Sequence, residues 1–522
     1  MHKSSLHNCL LNVVGKFISH FLFLTVIYFA ACNSIYAQNK TVKIELIHAD
    51  SYEFDNVVDV EAKRLLGNVQ FRHEGADMYC DSAYLYDKTN SLDAYGHVRI
   101  VKGDSVKIWG DFMRYNGNER MARLMGNIKM TDSKLTLTTD TLTYNRNNEV
   151  VFYLSGGKVV DKENTLTSKH GYYYVNERMV YFQKNVYMYN DRYDLHCDTL
   201  KYKTDLKIAY FLGPTCIESK DSSNTFINCE YGWYNTTNDK SYFSNNAQLV
   251  SKAQLLKSDS ILYDKRNGVG RAFGNVFIKD TTQKLIISGD KGVMYEKNNK
   301  AWVTGRSTLI QEFDKDSMFM HADTLYAESD TARQQKNYFA YRHVKLFKND
   351  MQAKCDSLTY TASDSMMRFY GNPVLWSEQN QLTADTIIIQ MANNQVDKMY
   401  LNNLAFISMK EDSLRFNQIK GRYMTAFFSD NKLRHIKVEG NGQTIYYGRN
   451  SKQQYVGVNR AECSDMTIAV DSNKVKKITL INKPDATFYP IKELAPSELI
   501  LKDFVWREKE KPLKREDIYD IN

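Results

Sequence analysis

Residues 135–144 read Leu135-Thr136-Leu137-Thr138-Thr139-Asp140-Thr141-Leu142-Thr143-Tyr144. Apolar residues alternate with threonine on both sides of Asp140, the period-two pattern of a half-buried strand. The alternation changes phase at the aspartate. Leu135 and Leu137 are odd-numbered, whereas Leu142 and Tyr144 are even. Side chains alternate faces along a strand, so an inward set that moves by one residue requires a corner or a bulge at that point. The segment predicts a strand bent at Asp140.

The same segment recurs. Its aspartate returns in Cys80-Asp81-Ser82, Cys197-Asp198-Thr199, Ser258-Asp259-Ser260, Ala322-Asp323-Thr324, Cys355-Asp356-Ser357 and Ala384-Asp385-Thr386. Weaker copies start at Asp50, Asp111, Glu230 and Asp290, and His170 is read as filling the slot once. Successive copies lie 28 to 33 residues apart. A tyrosine often follows four residues after the slot, as at Tyr115, Tyr144, Tyr202, Tyr234, Tyr263 and Tyr360. Polar turns come next, such as Asn145-Arg146-Asn147-Asn148 and Lys265-Arg266-Asn267-Gly268. A second strand then runs into a corner of the type Gly67-Asn68-Val69, Gly126-Asn127-Ile128 or Gly274-Asn275-Val276. Gly96-His97-Val98 and Lys184-Asn185-Val186 are variants of it. Glycine and asparagine tolerate positive φ and suit a bend at a fixed place in every unit. Each repeat therefore reads as strand, corner, strand, turn, strand. One unit cannot bury its own apolar face, but stacked units bury a continuous one. The expectation is a stack of coils about 4.8 Å apart, hydrogen-bonded coil to coil.

Composition agrees with an all-β chain. Tyr (36) and Phe (25) are plentiful, and four of the six prolines, Pro484, Pro490, Pro496 and Pro512, fall near the C-terminus. The long middle is left nearly free of proline, as ladder-forming strands require.

The first residues read as an export signal. Lys3 and Lys16 give a positive start, Phe21 to Ala31 is a short apolar run, and Ala37 precedes an expected cleavage at Gln38. Phe29-Ala30-Ala31-Cys32 offers the rival reading of a lipidated Cys32. Removal of residues 1–37 takes away Lys3 and Lys16 and lowers the formal charge from +8 to +6. That charge is mild and interspersed, so no nucleic-acid partner is implied. The domain reading is 1–37 signal peptide, 38–490 β-repeat region and 491–522 a tail that caps the stack or docks on a partner. In that tail Leu499-Ile500-Leu501-Lys502-Asp503-Phe504-Val505-Trp506-Arg507 is compact and apolar, and Glu508 to Arg515 is charged. Capping is the expectation, because a solenoid needs an end cover.

No residues point to catalysis or a cofactor. An acidic residue in nearly every repeat is not a catalytic pair, which needs distinct environments for acid and base. The aspartates and the Ser or Thr beside them are expected to bond backbone groups freed at the corner. Cys80, Cys197, Cys229 and Cys355 sit just before the acidic slot, where Ala49, Thr139, Ser258 and Ala322 also occur, so cysteine serves there as a small side chain. Only Cys197 and Cys229 fall in adjacent coils, the one disulfide conceivable. No C-x-x-C, no metal-spaced histidine pair, no G-x-S-x-G and no P-loop is present. The recurring apolar pairs after the corner are the candidate ligand-binding positions: Val69 and Phe71, Val98 and Ile100, Ile128 and Met130, Val186 and Met188, Val276 and Ile278. They fill a closed core or line an open apolar trough; both want the same side chains.

Taken as an array, the Cys80-Asp81-Ser82, Asp140-Thr141-Leu142-Thr143-Tyr144 and Ser258-Asp259-Ser260-Ile261-Leu262-Tyr263 segments, with their Gly-Asn-Val corners, resemble the OstA/LptA family of lipopolysaccharide-transport proteins in its long, many-repeat form. The likeness runs from about Val42 to about Tyr446 and fades through Pro490. The resemblance implies an OstA/LptA-type β-jellyroll, an open twisted V of two sheets with an apolar interior. It implies a periplasmic, non-enzymatic carrier without cofactor, which shields lipid A chains on their way to the outer membrane. The implied partners are lipopolysaccharide, other Lpt-type components joined end to end through strand edges, and further copies of the chain. Two other readings fit a β-repeat array: an outer-membrane β-barrel, and a structural, adhesin-like or polysaccharide-acting β-solenoid.

Overall fold

A computed structural model describes residues 42–54, 62–102, 106–131, 135–220, 225–251, 253–314, 316–330, 335–393, 395–429, 432–471, 474–490 and 495–520. The export signal, Cys32 and Gln38 lie outside the described residues. The chain divides after Ser155 into two compact units.

In the first unit the strands Ala62–His73, Ala76–Tyr86, Ser91–Lys102, Val106–Asn116, Met121–Thr131 and Thr136–Asn145 follow one another as an antiparallel meander. One repeat is thus two strands, not one coil, and advances the ladder by two strand spacings, about 9.6 Å. The turns between strands have a common device. Asn116 Oδ1 accepts the backbone N–H of Asn118 and Glu119, and Asn145 Oδ1 accepts that of Asn147. A short amide side chain that bonds its own backbone two residues on fixes the turn.

Each strand bends at its middle. In Ala76–Tyr86 the buried residues are Ala76, Met78 and Cys80 before Asp81, then Ala83 and Leu85 after it. The phase change read from Asp140 is this bend. Its cause lies in the neighbouring strand. Leu66 pairs with Ser82 and Val69 with Cys80, so Gly67 and Asn68 together face the single Asp81. Both bulge residues are left-handed, as are Gly96-His97 and Gly126-Asn127. The glycine is required twice over. A side chain at Gly96 would meet strain at its φ of +72°, and its Cβ would lie 2.4 Å from Asp81 Oδ2.

The acidic residue caps the bulge that follows it in sequence. Asn68 Nδ2 donates to Asp50 Oδ2 at 2.9 Å and Asn127 Nδ2 to Asp111 Oδ2 at 2.7 Å, while His97 Nδ1 lies 2.7 Å from Asp81 Oδ2. These carboxylates accept side-chain donors rather than the freed backbone groups expected of them. The backbone is served by the small residue just before the slot: Ser258 Oγ and Cys355 Sγ donate to the carbonyls of Ser260 and Ser357. That slot selects for small size and, in several copies, for a donor.

The second unit repeats the plan from the strand Gly157–Val160 to the strand Asp485–Tyr489. The slot assigned to His170 belongs to Lys169. Ser168 Oγ donates to the His170 carbonyl, as Ser258 does to Ser260, and Lys169 N–H bonds the carbonyl of Lys184 in the next bulge. The array also runs past the last aspartate. Gly440 packs on Arg422, and Ser464 N–H bonds the carbonyl of Asn482, so arginine and serine hold the slot in two further copies. Buried aliphatic side chains make a core cluster from Leu285 to Val470 in this unit.

The tail 495–520 lies along the outward face of the later strands. Gln381 Nε2 donates to the Val505 carbonyl and its Oε1 accepts from Arg507 N–H, both at 2.7 Å. Gln418 does the same with Leu499 and Leu501. Ion pairs of Lys354 with Glu510, Lys410 with Glu508 and Lys420 with Asp503 flank these amide bridges. Leu501 and Ile518 are buried, and Tyr519 reaches Thr308.

Candidate functional site: the inward face of the bent strands

The phase rule sends alternate residues of each bent strand inward on both sides of the bend. After the acidic slot these are the second and fourth residues. The recurring tyrosine is the fourth, so it points into the interior. In the first unit the interior is full. Val69, Phe71, Val98, Ile100, Ile128 and Met130 are all buried, together with Leu65, Leu92, Met113 and Leu124.

Polar groups close the first unit further. His73 hydrogen-bonds Tyr115, which is 2% exposed, and Arg146 donates to the hydroxyl of Tyr115 and to the carbonyls of His73 and Glu74. A second clasp joins Lys102 Nζ to the Tyr144 hydroxyl at 2.8 Å and to Glu149 at 3.2 Å. Burial raises the Tyr115 and Tyr144 hydroxyls above their ordinary range. For Glu149 burial works to raise the carboxyl, but the bonds from Tyr144 and Lys102 outweigh it and hold the group below its ordinary value.

In the second unit the inward positions diverge. Val186 and Val276 are buried; Met188 and Ile278 are half-buried. Met188 packs on the cluster of Leu166, Val186 and Leu195. Ile278 borders an apolar gap of about 60 Å³, with Ile287, Val303, Leu309, Met320 and Leu325 among its walls. The gap has a local cause. One inward row runs Tyr263, Gly270, Met294, Ala301, Ala327, Tyr338 across successive strands. The slot that elsewhere holds tyrosine is Met294 and then Ala327, and their cross-strand neighbours are Gly270 and Ala301. Four small or flexible residues stand between two tyrosines. Met294 is left 45% exposed, and a Cβ on Gly270 would find nothing nearer than 3.8 Å. Tyr338 Oη donates to Gln283 Oε1 at 2.9 Å beside this row. The expected positions found the wall at Ile278 but not the walls at Ala301 and Ala327, nor their row neighbours Gly270 and Met294. Their signal is the lapse of the repeat tyrosine in two successive copies.

The described cysteines take no part in a bridge or a metal site. All six described cysteines are free, and among the described residues no cluster of His, Cys, Asp and Glu could hold a metal ion. Burial pushes the thiols of Cys80, Cys197 and Cys355 up to about 12, so they are inert. The conceivable Cys197–Cys229 bridge is ruled out by register. Thr215 pairs with both residues, which places them two strands apart, about 9.6 Å and beyond disulfide reach.

Comparison with known proteins matches these features. A family model described as OstA-like protein covers residues 41–198 and 176–259. A second, described as LptA/(LptD N-terminal domain) LPS transport protein, covers residues 257–395. The chain is an OstA/LptA-like protein. The OstA/LptA-like families are envelope lipopolysaccharide-transport families, not enzyme families. Among solved structures, LptH, the LptA homologous periplasmic component of the lipopolysaccharide transport device from Pseudomonas aeruginosa, is similar at 14% identity, over 23% of this chain and 82% of that one, with a TM-score of 0.20. No curated protein matches the chain.

Proposed function

We propose that this OstA/LptA-like chain is a periplasmic carrier that shelters the acyl chains of lipopolysaccharide, and that the apolar gap of the second unit is where they enter. The observation that carries the reading is the inward row Gly270, Met294, Ala301, Ala327, which leaves hydrocarbon-lined space where the same positions elsewhere are filled. Apolar side chains around a gap with no charged residue among its walls favour hydrocarbon over a polar guest. The gap has room for a short stretch of chain, and movement of the flexible Met320 in its wall would lengthen it. Other Lpt-type components are the partners that the family supports, met through strand edges at the ends of the array.

Site-specific photo-crosslinking in living cells tests this. Probes at Ile278 and Met294 are expected to form lipopolysaccharide adducts, with Ile128 in the filled unit and Lys265 in an exposed turn remaining unlabelled. Absence of adducts at all four positions in a well-expressed protein would remove the carrier reading and leave a structural β-stack.

A further inference from the structure

The outward face of the second unit carries a different pattern. One cross-strand row there runs Tyr172, Tyr181, Lys201, Tyr210, Trp233, Tyr242. It continues through Leu262, Arg271 and Val293 to Trp302, Tyr326 and Phe339. Eight of its twelve members are aromatic, and all but the buried Val293 are half-exposed. The row has one ring per rung over most of its length. Lys201 Nζ sits over two of the rings, 5.3 Å from Tyr181 and 5.8 Å from Tyr210.

The neighbouring outward row, two residues along each strand, is of another kind. It presents hydroxyl groups at Thr199, Tyr231, Ser260, Thr304 and Thr324, exposed rings at Phe273 and Tyr341, and an exposed cation at Lys291. Across these two rows, from Tyr172 to Tyr341, stand three cations, Lys201, Arg271 and Lys291, and no carboxylate. Among the described residues no ion pair occupies any of the three. The equivalent row of the first unit is Arg64, Tyr84, Asp93, Arg114, Arg123, where Asp93 and Arg114 neutralise each other at 2.9 Å. The tail crosses other outward positions and leaves the aromatic row uncovered.

We propose that this row is a docking track for a linear polysaccharide that bears carboxylate groups. Half-exposed rings offer the flat apolar faces on which sugar rings stack, as they do for other ring-shaped ligands. The rung spacing of about 4.8 Å is close to the advance per sugar along an extended pyranose chain, so successive rings meet successive sugars. The hydroxyl row supplies hydrogen bonds beside the stacking row, and the three unpaired cations supply complementary charge. A bilayer surface is the weaker match, because Lys201 and Arg271 stand in the same row as the rings and would be carried into the hydrocarbon with them. Trp302, Tyr326 and Phe339 of this row also border the gap, whereas Tyr210, Trp233, Lys201 and Arg271 do not line it.

Titration calorimetry on the full chain provides the test, with an alginate hexamer as the acidic probe, chitohexaose as the neutral one, and phosphatidylglycerol-containing vesicles as the bilayer. The acidic hexamer is expected to bind, and the double variant Tyr210→Ala/Trp233→Ala to weaken it by at least about tenfold. Lys201→Gln/Arg271→Gln, on the surface and with circular dichroism unchanged, is expected to abolish the preference for the acidic over the neutral hexamer. Arg114→Gln in the first unit should bind as the parent does. No sugar binding by the parent chain, equal binding by both double variants, binding to vesicles alone, or a row-dependent self-association in sedimentation would each overturn the proposal.

Discussion

The first unit and the Tyr263–Tyr338 stretch of the second are built from the same bent strand, yet one is solid and the other has a gap. The backbone device is common to both. Gly96 packs on Asp81 in the first, Gly274 on Asp259 in the second, and the register shift is the same. What differs is the fourth residue after the acidic slot and its cross-strand neighbour. Leu85 and Leu92 fill the interior in one place, and Met294 and Ala301 leave it open in the other. A repeat can therefore switch from core to container by two side chains, with no change in its ladder. The Tyr144–Glu149 link of the filled unit recurs in the second as Tyr234–Asp239, so such polar clasps do not set the two interiors apart.

The contrast can be broken from either side. Leu124→Ala, at a fully buried site of the first unit, is expected to cost about 2–5 kcal/mol in urea denaturation. Met294→Ala should cost well under about 1 kcal/mol, because nearly half of that side chain is already in solvent. Equal losses would mean that the two interiors are packed alike. Enlargement gives the opposite signs. Ala122→Leu overfills a buried site and should destabilise by about 1–3 kcal/mol. Ala301→Leu occupies the gap and should be neutral or stabilising by up to about 1 kcal/mol while it suppresses lipid crosslinking at Ile278.

The shared backbone device should respond identically in both regions. Gly96→Ala and Gly274→Ala each force a Cβ against a carboxylate at positive φ, and a loss of about 1–3 kcal/mol is expected for each. A large difference between the two would show that the bulge is not the common element. The smallest effect is one of pH. Hydrogen bonding from Arg507 and then the Lys354 ammonium hold Glu510 down to about 2 against burial, which opposes them. A depressed carboxyl stabilises fully above its ordinary value of 4.5, and this contribution is lost as pH falls from there through 2. The tail should loosen in that window, seen as faster amide exchange near Gln381. Glu510→Gln should exchange at the fast rate at every pH.

The repeat, its bend and its turns were legible in the sequence because each rests on a local rule: alternation, a phase change, a Gly-Asn pair. The count of strands per repeat was not, because alternation within one copy does not say which copy it pairs with. For the same reason a Cys197–Cys229 bridge is conceivable from the sequence alone. Lys169, Arg422 and Ser464 hold the acidic slot without resembling an acid, and only the register of Lys184, Gly440 and Asn482 reveals them. Of the candidate site, the inward positions after each corner were readable. The gap was not, since it depends on what is missing from the tyrosine slot in two adjacent copies, and apolar wall and apolar filler share one alphabet. The outward aromatic row escaped notice for a related reason: its members lie far apart in sequence and become neighbours only across the ladder.

The tail has a consequence for how the second unit comes into being. In a meander nearly every contact is between successive hairpins, so such an array can assemble from its first rungs as the chain emerges and can fray from either end. Tyr519 touching Thr308 closes a loop of 211 residues, and Arg507 touching Asn372 one of 135. These contacts tie the tail to rungs far earlier in the chain, and so convert a zipper that could open anywhere into a structure that is closed across many rungs at once.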